Sequence, residues 1–281
     1  MIDQDEYRVA EAQVRQFHEQ GYVTLQAVLN EDEIRLIEPY LTDFIDGKVP
    51  GMGRDFCDMS GPYERRFEDF SLVNAVLPRV YRPSIRGNTF ERRSQSIALQ
   101  LIGPGATLDY DQFLAKRPDK PDAIFTWHQD LGYWPTGTPD TLTATCSLAL
   151  DDADLENGCL KVVPGSHLEP ELRAHRPVHK STQGARDASH VLSIELQPSD
   201  RLVALPLRRG DITVHNERIV HGSGGNNSPT RWRRTYITAF RSAACVAYER
   251  SIGFTHSHND KVNWTTHLGA LREAAARGDG D

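Results

Sequence analysis

Residues 208–226 read RRGDITVHNERIVHGSGGN, a strand-forming run followed by a glycine-rich turn. The run DITVHN contains β-branched residues, which favour strands. Similar short segments between residues 124 and 240 are IFTWHQD, TATCSLAL, LKVVP, LVALPL and RTYITAF. Turn signals built from Gly, Pro and Asn separate them. Many short strands split by such turns predict a sandwich or barrel, such as a double-stranded β-helix (jelly roll).

The first hundred residues show mainly helical patterns. Asn30 and Glu33 have the spacing of a capping box that starts a helix, and Gly21 fits a helix C-cap. The run YVTLQAV at residues 22–28 favours a strand. The apolar spacing and the composition predict helices over residues 8–20, 30–45, 71–82, 86–101 and 266–277.

These patterns predict one α+β, mainly β, domain over residues 1–281. We expect a helical N-terminal part over about 1–102, a jelly-roll core over about 103–245 and a helical tail over 246–281. Residues 46–70, rich in Gly, Asp and Arg, predict a loop that covers a site.

Composition narrows the classes of partner. A net charge of −7 and a pI near 5.9 disfavour nucleic acid and anionic membranes, which attract basic surfaces. No apolar run reaches the ~18–20 residues of a membrane helix, and the polar N-terminus does not resemble a secretory signal. We therefore expect a cytoplasmic protein that acts on a small molecule. The composition leaves the oligomeric state open.

The cysteines indicate no thiolate chemistry. The chain has 4 cysteines, Cys57, Cys146, Cys159 and Cys245, and no CxxC pair. A zinc–thiolate site or a redox dithiol is therefore not expected. Buried free thiols in a reducing compartment are the expectation.

A candidate metal motif follows the apolar segment AIFTW. Residues two apart in a strand point to the same face, so the imidazole of His128 and the carboxylate of Asp130 would aim at one point. Two histidines and one carboxylate form the facial triad of non-haem Fe(II) oxygenases. The spacing of one His and one Asp is weakly specific on its own. The residues leave His215 and His221 as candidates for the third ligand.

Four stretches together resemble the phytanoyl-CoA dioxygenase family, whose members include ectoine and free-amino-acid hydroxylases. They are FHEQGYVTLQAVLNEDEIRLI at 17–37, WHQDLGYWP at 127–135, LENGCLKVVPGSH at 155–167 and RRGDITVHNERIVHGSGGN at 208–226. The resemblance implies a jelly-roll enzyme that uses Fe(II), 2-oxoglutarate and O₂. It implies that His128, Asp130 and His221 are the metal ligands. It implies that His215 packs beside the site and that His167 is structural.

The resemblance also implies a guanidinium that binds the far carboxylate of 2-oxoglutarate, about eleven residues after the distal His. The segment TRWRR is one residue longer here, so Arg233 is the first choice and Arg231 the alternative. Arg234 should face the other way, since it has the opposite strand parity. Other polar residues expected in the same pocket are Ser223, Gln112 and Lys116.

The substrate side is less determined. The resemblance implies that Trp134, with Tyr133 before it, lines the substrate pocket, and a core position for Trp134 is an equal alternative. The family's halogenating members lack the carboxylate, so Asp130 favours hydroxylation of an unactivated C–H bond of a small molecule.

Other functions stay open at this stage. The alternatives on the same scaffold are desaturation, cyclisation and epimerisation. A non-catalytic jelly-roll binding module and a zinc hydrolase with the same three ligands are less favoured. The arginines of loop 46–70, Arg54, Arg65 and Arg66, either contact a substrate carboxylate or are ordinary solvated charges.

Overall fold

Two facing antiparallel sheets build the core of the computed structural model, which describes residues 6–135, 137–178 and 190–260. The strands are β1 Tyr22–Leu25, β2 Phe56–Asp58, β3 Leu72–Val76, β4 Ala106–Lys116, β5 Phe125–His128, β6 Thr143–Ala149, β7 Leu160–Val162, β8 Arg176–Pro177, β9 Leu192–Ser193, β10 Val203–Leu205, β11 Ile212–His215, β12 His221–Ser223 and β13 Arg233–Ser242. The large sheet has the order β1-β11-β6-β13-β4-β3-β2, the small one β10-β7-β12-β5, and β8 pairs with β9. The predicted jelly roll is confirmed.

Helices flank the large sheet, most of them on its outer face. They are α1 Glu11–Gln20, α2 Glu31–Ile45, α3 Pro78–Tyr81, α4 Thr89–Ile102 and α5 Ala243–Ser251. The predicted capping box of α2 is present, because Asn30 Oδ1 accepts from the Glu33 amide at 3.0 Å and Glu33 Oε2 accepts from the Asn30 amide at 2.9 Å. Gly21 ends α1 with φ 81°, the left-handed conformation that glycine adopts most easily.

The predicted helix over 71–82 is wrong in its first half. Leu72–Val76 forms β3, which pairs with both β2 and β4, and only Pro78–Tyr81 is helical. All five residues of β3 are buried, so the segment has no polar face. A short run that is buried on both sides shows neither strand nor helix periodicity, and only its pairing in the sheet decides. The N-terminal part thus also supplies β1 and β2 to the large sheet. The predicted helix over 266–277 lies outside the described residues.

Alternation along the large sheet separates an apolar outer face from a polar inner face. Outward residues such as Cys146, Leu148, Val214 and Tyr236 join the core with the helices. A cavity between the two sheets is lined by polar and apolar residues, which are Ser147, Ala149, Ala153, Leu160, Leu205, Leu207, Thr213, Arg233, Arg234 and Thr235. A polar interior is costly unless a ligand or hydrogen bonds satisfy it. The fold therefore places a binding site inside the barrel.

All four cysteines are buried and free, as expected. Within the described ranges, no helix has the length and apolar character needed to cross a bilayer.

A buried carboxyl beneath the helices makes stability depend on pH. Burial raises the pKa of Asp111 to about 7. Its stabilising contribution is present in the protonated form and is lost as the pH rises from about 4 to about 7. Asp111→Asn keeps an acceptor for the Arg79 amide and stays neutral. We expect it to raise Tm at pH 8 by roughly 2–4 °C for each kcal/mol regained, and to change Tm less at pH 5. Equal shifts at both pH values in thermal unfolding would contradict this assignment.

Candidate active site

Three side chains that could hold a metal ion, His128, Asp130 and His221, converge at one end of the small sheet. β5 and β12 are antiparallel neighbours, and His128 lies directly opposite His221. After His128 the chain turns into a short 3-10 helix at Asp130–Tyr133, which brings the Asp130 carboxylate back toward both rings. Asp130 Oδ1 lies 3.4 Å from His128 Nε2 and 3.5 Å from His221 Nε2. One ligand atom from each residue lies within 4.8 Å of the others.

The two imidazoles are held in the orientation that a metal needs. His128 Nδ1 lies 2.7 Å from the carbonyl oxygen of Thr126, and His221 Nδ1 lies 3.0 Å from that of Ile219. Because a carbonyl only accepts, both Nδ1 atoms carry the proton and both Nε2 atoms keep a free lone pair. Burial lowers the pKa of His221 well below its usual value, which keeps that ring neutral. Two neutral imidazoles and a carboxylate suit Fe(II).

The second carboxylate oxygen is also held. His215 Nε2 lies 3.2 Å from Asp130 Oδ2, and the Thr145 hydroxyl lies 3.5 Å from the same oxygen. His215 thus packs beside the three residues and hydrogen-bonds one of them, in the location expected for it. His167 instead lies 3.0 Å from the carbonyl oxygen of His18, away from this centre.

Two cations lie side by side inside the barrel. Arg233 and Lys116 are directly paired residues of β13 and β4, and both are buried. Lys116 Nζ donates to Ser223 Oγ and the Ala123 carbonyl, each at 2.8 Å, and to the Gly224 carbonyl. Within the described ranges no carboxylate forms an ion pair with Arg233.

The pKa values of these cations reflect their surroundings. Burial lowers the pKa of Arg233 to about 10. Burial, and then the charge of Arg233, lower the pKa of Lys116 well below its usual value. Buried like charges without a counter-ion are costly, so the arrangement is suited to bind an anion.

The two neighbouring arginines are paired elsewhere. Arg231 lies 2.9 Å from Asp154 and 2.5 Å from Glu156 at the surface. Arg234 faces outward, as its strand parity predicted, and binds Asp151 at 2.6 Å. Of the two candidates from the sequence, the positions favour Arg233 over Arg231.

Gln112 and Tyr133 both have their polar groups engaged. Gln112 Nε2 donates to Asn74 Oδ1 at 2.6 Å. The Tyr133 hydroxyl accepts from the Leu192 amide at 2.8 Å, and its ring meets His128 edge-on at 5.5 Å. The Tyr133 ring therefore packs against His128.

Trp134 lies in a buried stack rather than on an open wall. Its side chain is buried, and the Arg241 guanidinium lies 4.4 Å from the ring centre. Tyr110 and His256 meet the ring edge-on at 6.3 and 5.7 Å. This arrangement favours the core alternative for Trp134, because one ring face is already covered.

A second group of acidic and imidazole side chains has its own counter-ions. Asp109, Glu249 and His256 offer atoms close enough to hold a metal. However, Arg250 lies 2.5 Å from Asp109, Arg241 contacts Glu249, and His256 lies 2.7 Å from Asp109. These contacts make the group an internally paired ionic network that attaches α5 to the barrel.

An aromatic and imidazole cluster near His128 was not predicted from the sequence. Tyr63 from the 46–70 region contacts His190 at 4.0 Å and His258 at 5.9 Å between ring centres. Tyr63 and Phe125 pack against the same apolar cluster, and Phe125 stacks on His128 at 4.5 Å. Tyr63 is 127 positions from His190 and 195 from His258, so no local pattern signals these contacts.

The arginines of the 46–70 region differ in their contacts. Arg65 pairs with Asp58 at 2.8 Å and Arg66 with Asp69 at 2.9 Å, both within the region. Arg54 lies over the Tyr63 ring at 5.1 Å. Arg65 and Arg66 thus hold the region's own structure.

The chain is similar in sequence and in structure to known proteins. A probable alpha-ketoglutarate-dependent hypophosphite dioxygenase from Stutzerimonas stutzeri is 25% identical over 239 residues, 82% of this chain and 78% of that protein. The crystal structure of EvdO2 from Micromonospora carbonacea var. aurantiaca complexed with 2-oxoglutarate matches with a TM-score of 0.64. It is 25% identical and covers 84% of this chain and 92% of that one.

A further solved structure supports the fold alone. The non-heme alpha ketoglutarate dependent carbocyclase SnoK, from nogalamycin biosynthesis, has a TM-score of 0.61 at 23% identity over 84% of this chain and 85% of that one. The family model described as phytanoyl-CoA dioxygenase (PhyH) matches residues 17–235. The chain therefore belongs to the phytanoyl-CoA dioxygenase (PhyH) family.

Proposed function

We propose that His128, Asp130 and His221 bind Fe(II), and that the enzyme hydroxylates an unactivated C–H bond of a small organic molecule. As a member of its family the chain is an Fe(II)- and 2-oxoglutarate-dependent dioxygenase. Succinate and CO₂ are the co-products. The observation that carries the proposal is the convergence of two Nε2 atoms, each freed by a backbone hydrogen bond at Nδ1, on one carboxylate.

The buried cations fit the cosubstrate. 2-Oxoglutarate has a keto acid at one end and a carboxylate at the other. We propose that Arg233 binds the far carboxylate through its planar guanidinium, with Lys116 and Ser223 beside it. The charge of the dianion would offset the repulsion between the two cations. Gln112 takes part from the neighbouring strand through its amide oxygen, since its Nε2 is bonded to Asn74.

The protein's own contribution is position and seclusion. When bound, ferrous iron would activate O₂, with 2-oxoglutarate as the electron-donating cosubstrate, and so supply the oxidising chemistry that side chains lack. The residues around the triad hold the ligands: Thr126 and Ile219 orient the rings, and His215 holds the free carboxylate oxygen. Phe125 stacks on His128 and excludes water from that side.

The substrate would approach along the cluster of Tyr63, His190 and His258. These side chains combine flat apolar faces with polar edges, which favours a small polar or secondary-metabolite-like molecule. The Tyr133 ring packs against His128 and is a further candidate for contact with the substrate. Trp134 is buried against Arg241, so we assign it a supporting role in the core rather than contact with the substrate.

Three other outcomes on the same scaffold, desaturation, cyclisation and epimerisation, differ from hydroxylation in the mass of the product. Hydroxylation adds one oxygen atom, desaturation and cyclisation remove two hydrogens, and epimerisation leaves the mass unchanged. All begin with removal of a hydrogen from carbon, so the triad does not separate them. Mass spectrometry of the product after full turnover separates hydroxylation from the loss of two hydrogens, and NMR of the product distinguishes a new double bond, a new ring and an inverted stereocentre.

The direct test measures succinate release. Purified protein is supplied with Fe(II), 2-oxoglutarate and ascorbate in air, with and without a panel of small substrates. We expect succinate formation that stops when a chelator removes iron and returns when Fe(II) is restored. Succinate at the level of the chelator control with every substrate would support a non-catalytic binding module. Hydrolysis of a substrate from the panel with Zn(II) and without O₂ would support a hydrolase.

A further inference from the structure

Gln129 lies between His128 and Asp130 in the sequence. Its side-chain amide forms hydrogen bonds in the protein interior through both its nitrogen and its oxygen. Gln129 is fully buried. Its Nε2 donates to the Arg218 carbonyl at 2.6 Å, and its Oε1 accepts from the Arg173 amide at 2.9 Å. Gln129 lies between the end of β5 and the 3-10 helix of Asp130, and both partners of its side-chain amide are backbone groups of other loops.

One of these partners leads directly to the third metal-binding residue. Arg218 lies in the turn between β11 and β12, three residues before His221. In the same turn the carbonyl of Glu217 accepts from the amide of Leu131 at 3.0 Å. Gln129 and Leu131 therefore link the turn that carries His221 to the segment that carries Asp130.

The other partner belongs to a segment that is itself fixed. The Arg173 guanidinium binds Glu169 and Asp200, each at 2.6 Å. The Arg218 side chain donates to the carbonyl oxygens of His167 at 3.1 Å and Glu169 at 2.5 Å. Both loops bound by the Gln129 amide are thus tied to each other as well.

We infer that Gln129 is a positioning residue that sets the separation between the His128–Asp130 pair and His221. This inference rests on the proposed function. Hydrogen-bonding partners behind metal ligands hold ligand geometry, and losing one typically costs about 10–100-fold in metal affinity. An apolar side chain of similar size would leave a buried carbonyl and a buried amide without partners. The turn would then relax and move His221.

The test compares two glutamines that form matching bonds. Gln100 on α4 accepts from the Val9 amide at 3.0 Å and donates to the Tyr7 carbonyl at 2.7 Å, in a part of the fold remote from the triad. Gln129→Met and Gln100→Met each remove one bond from a backbone amide and one to a carbonyl of a distant segment, and Gln100→Met also removes a bond to the Ser96 carbonyl at 3.0 Å. Co(II) affinity and the visible ligand-field spectrum of bound Co(II) are measured for both variants and for the wild type. The melting temperature of each metal-free protein is measured alongside.

We expect Gln129→Met to bind Co(II) about 10–100-fold more weakly, with an altered spectrum. Gln100→Met should lower the melting temperature while keeping wild-type affinity and spectrum. If Gln129→Met does not fold, Gln129→Asn decides, because its shorter amide cannot reach both partners and should also weaken Co(II) binding.

The contrary results are distinct. Wild-type affinity and spectrum in a folded Gln129 variant, or equal weakening in Gln100→Met, would overturn the inference and leave the proposed function intact. A wild-type chain that binds no Co(II) would overturn the proposed function itself.

Discussion

Replacing His221 with alanine should abolish metal-dependent succinate formation. In the proposed site the residue supplies one of three donor atoms, and its Nε2 lies 3.5 Å from Asp130 Oδ1. Loss of a residue that hydrogen-bonds a metal ligand typically lowers metal affinity about 10–100-fold. Loss of a ligand itself should lower it further. We expect Co(II) titration to show no tight site and succinate release to fall to the level of the chelator control.

A second histidine provides the matched control. His167 bonds the His18 carbonyl and lies apart from the triad, so His167→Ala removes an imidazole without removing a ligand. That variant should bind Co(II) like the wild type, with some loss of thermal stability. Retention of metal binding and turnover by His221→Ala would show that the ligand set is wrong.

Replacing Arg233 with methionine should weaken the binding of 2-oxoglutarate without weakening the binding of the metal. The change removes the buried guanidinium that we assign to the far carboxylate and leaves the triad untouched. Truncating one partner of a buried charge pair costs about 2–5 kcal/mol, so KM for 2-oxoglutarate should rise roughly 30-fold or more. Co(II) affinity should stay near the wild-type value. Steady-state kinetics at varied 2-oxoglutarate and a metal titration separate the two effects.

Arg231 is the natural comparison for this experiment. It is only two residues away, but its guanidinium binds Asp154 and Glu156 at the surface. Exposed ion pairs contribute only about 0–1 kcal/mol to stability, so Arg231→Met should leave the fold intact. Because the change also leaves Arg233 and Lys116 in place, KM for 2-oxoglutarate should stay near the wild-type value. A large rise in KM for Arg231→Met with none for Arg233→Met would assign the cosubstrate to the other arginine.

The features readable from the sequence were those with a local pattern. The capping box at Asn30 and Glu33 needs only a spacing of three residues, and it formed as expected. Likewise, the spacing of His128 and Asp130 placed an imidazole and a carboxylate together without knowledge of the fold. Turn signals and β-branched runs predicted the strands of the barrel, because both are properties of short segments.

Other features depended on the sheet as a whole. β3 was predicted as helix, since a strand buried on both faces has no polar face to give a period of two. The choice between Arg231 and Arg233 needed the register of β13 against β4, which sets Arg233 opposite Lys116. No local pattern contains that pairing.

The polar contacts behind the site were also invisible in the sequence. The hydrogen bond from His215 to Asp130 joins residues 85 positions apart, and that from Gln129 to the Arg218 carbonyl joins residues 89 apart. Similarly, the stack of Arg241 on Trp134, which favours a supporting role for this tryptophan, forms only when β13 closes the barrel. Such contacts follow from topology rather than from residue spacing.

The most direct test of the account is an anaerobic titration of the wild-type protein with Fe(II) and then 2-oxoglutarate, followed by visible absorption. A keto acid chelated to ferrous iron gives a charge-transfer band that neither component gives alone. We predict that the band appears with one Fe(II) per chain and is absent in His221→Ala. A wild-type protein that binds 2-oxoglutarate and Fe(II) without developing this band, or that binds neither, would contradict the account.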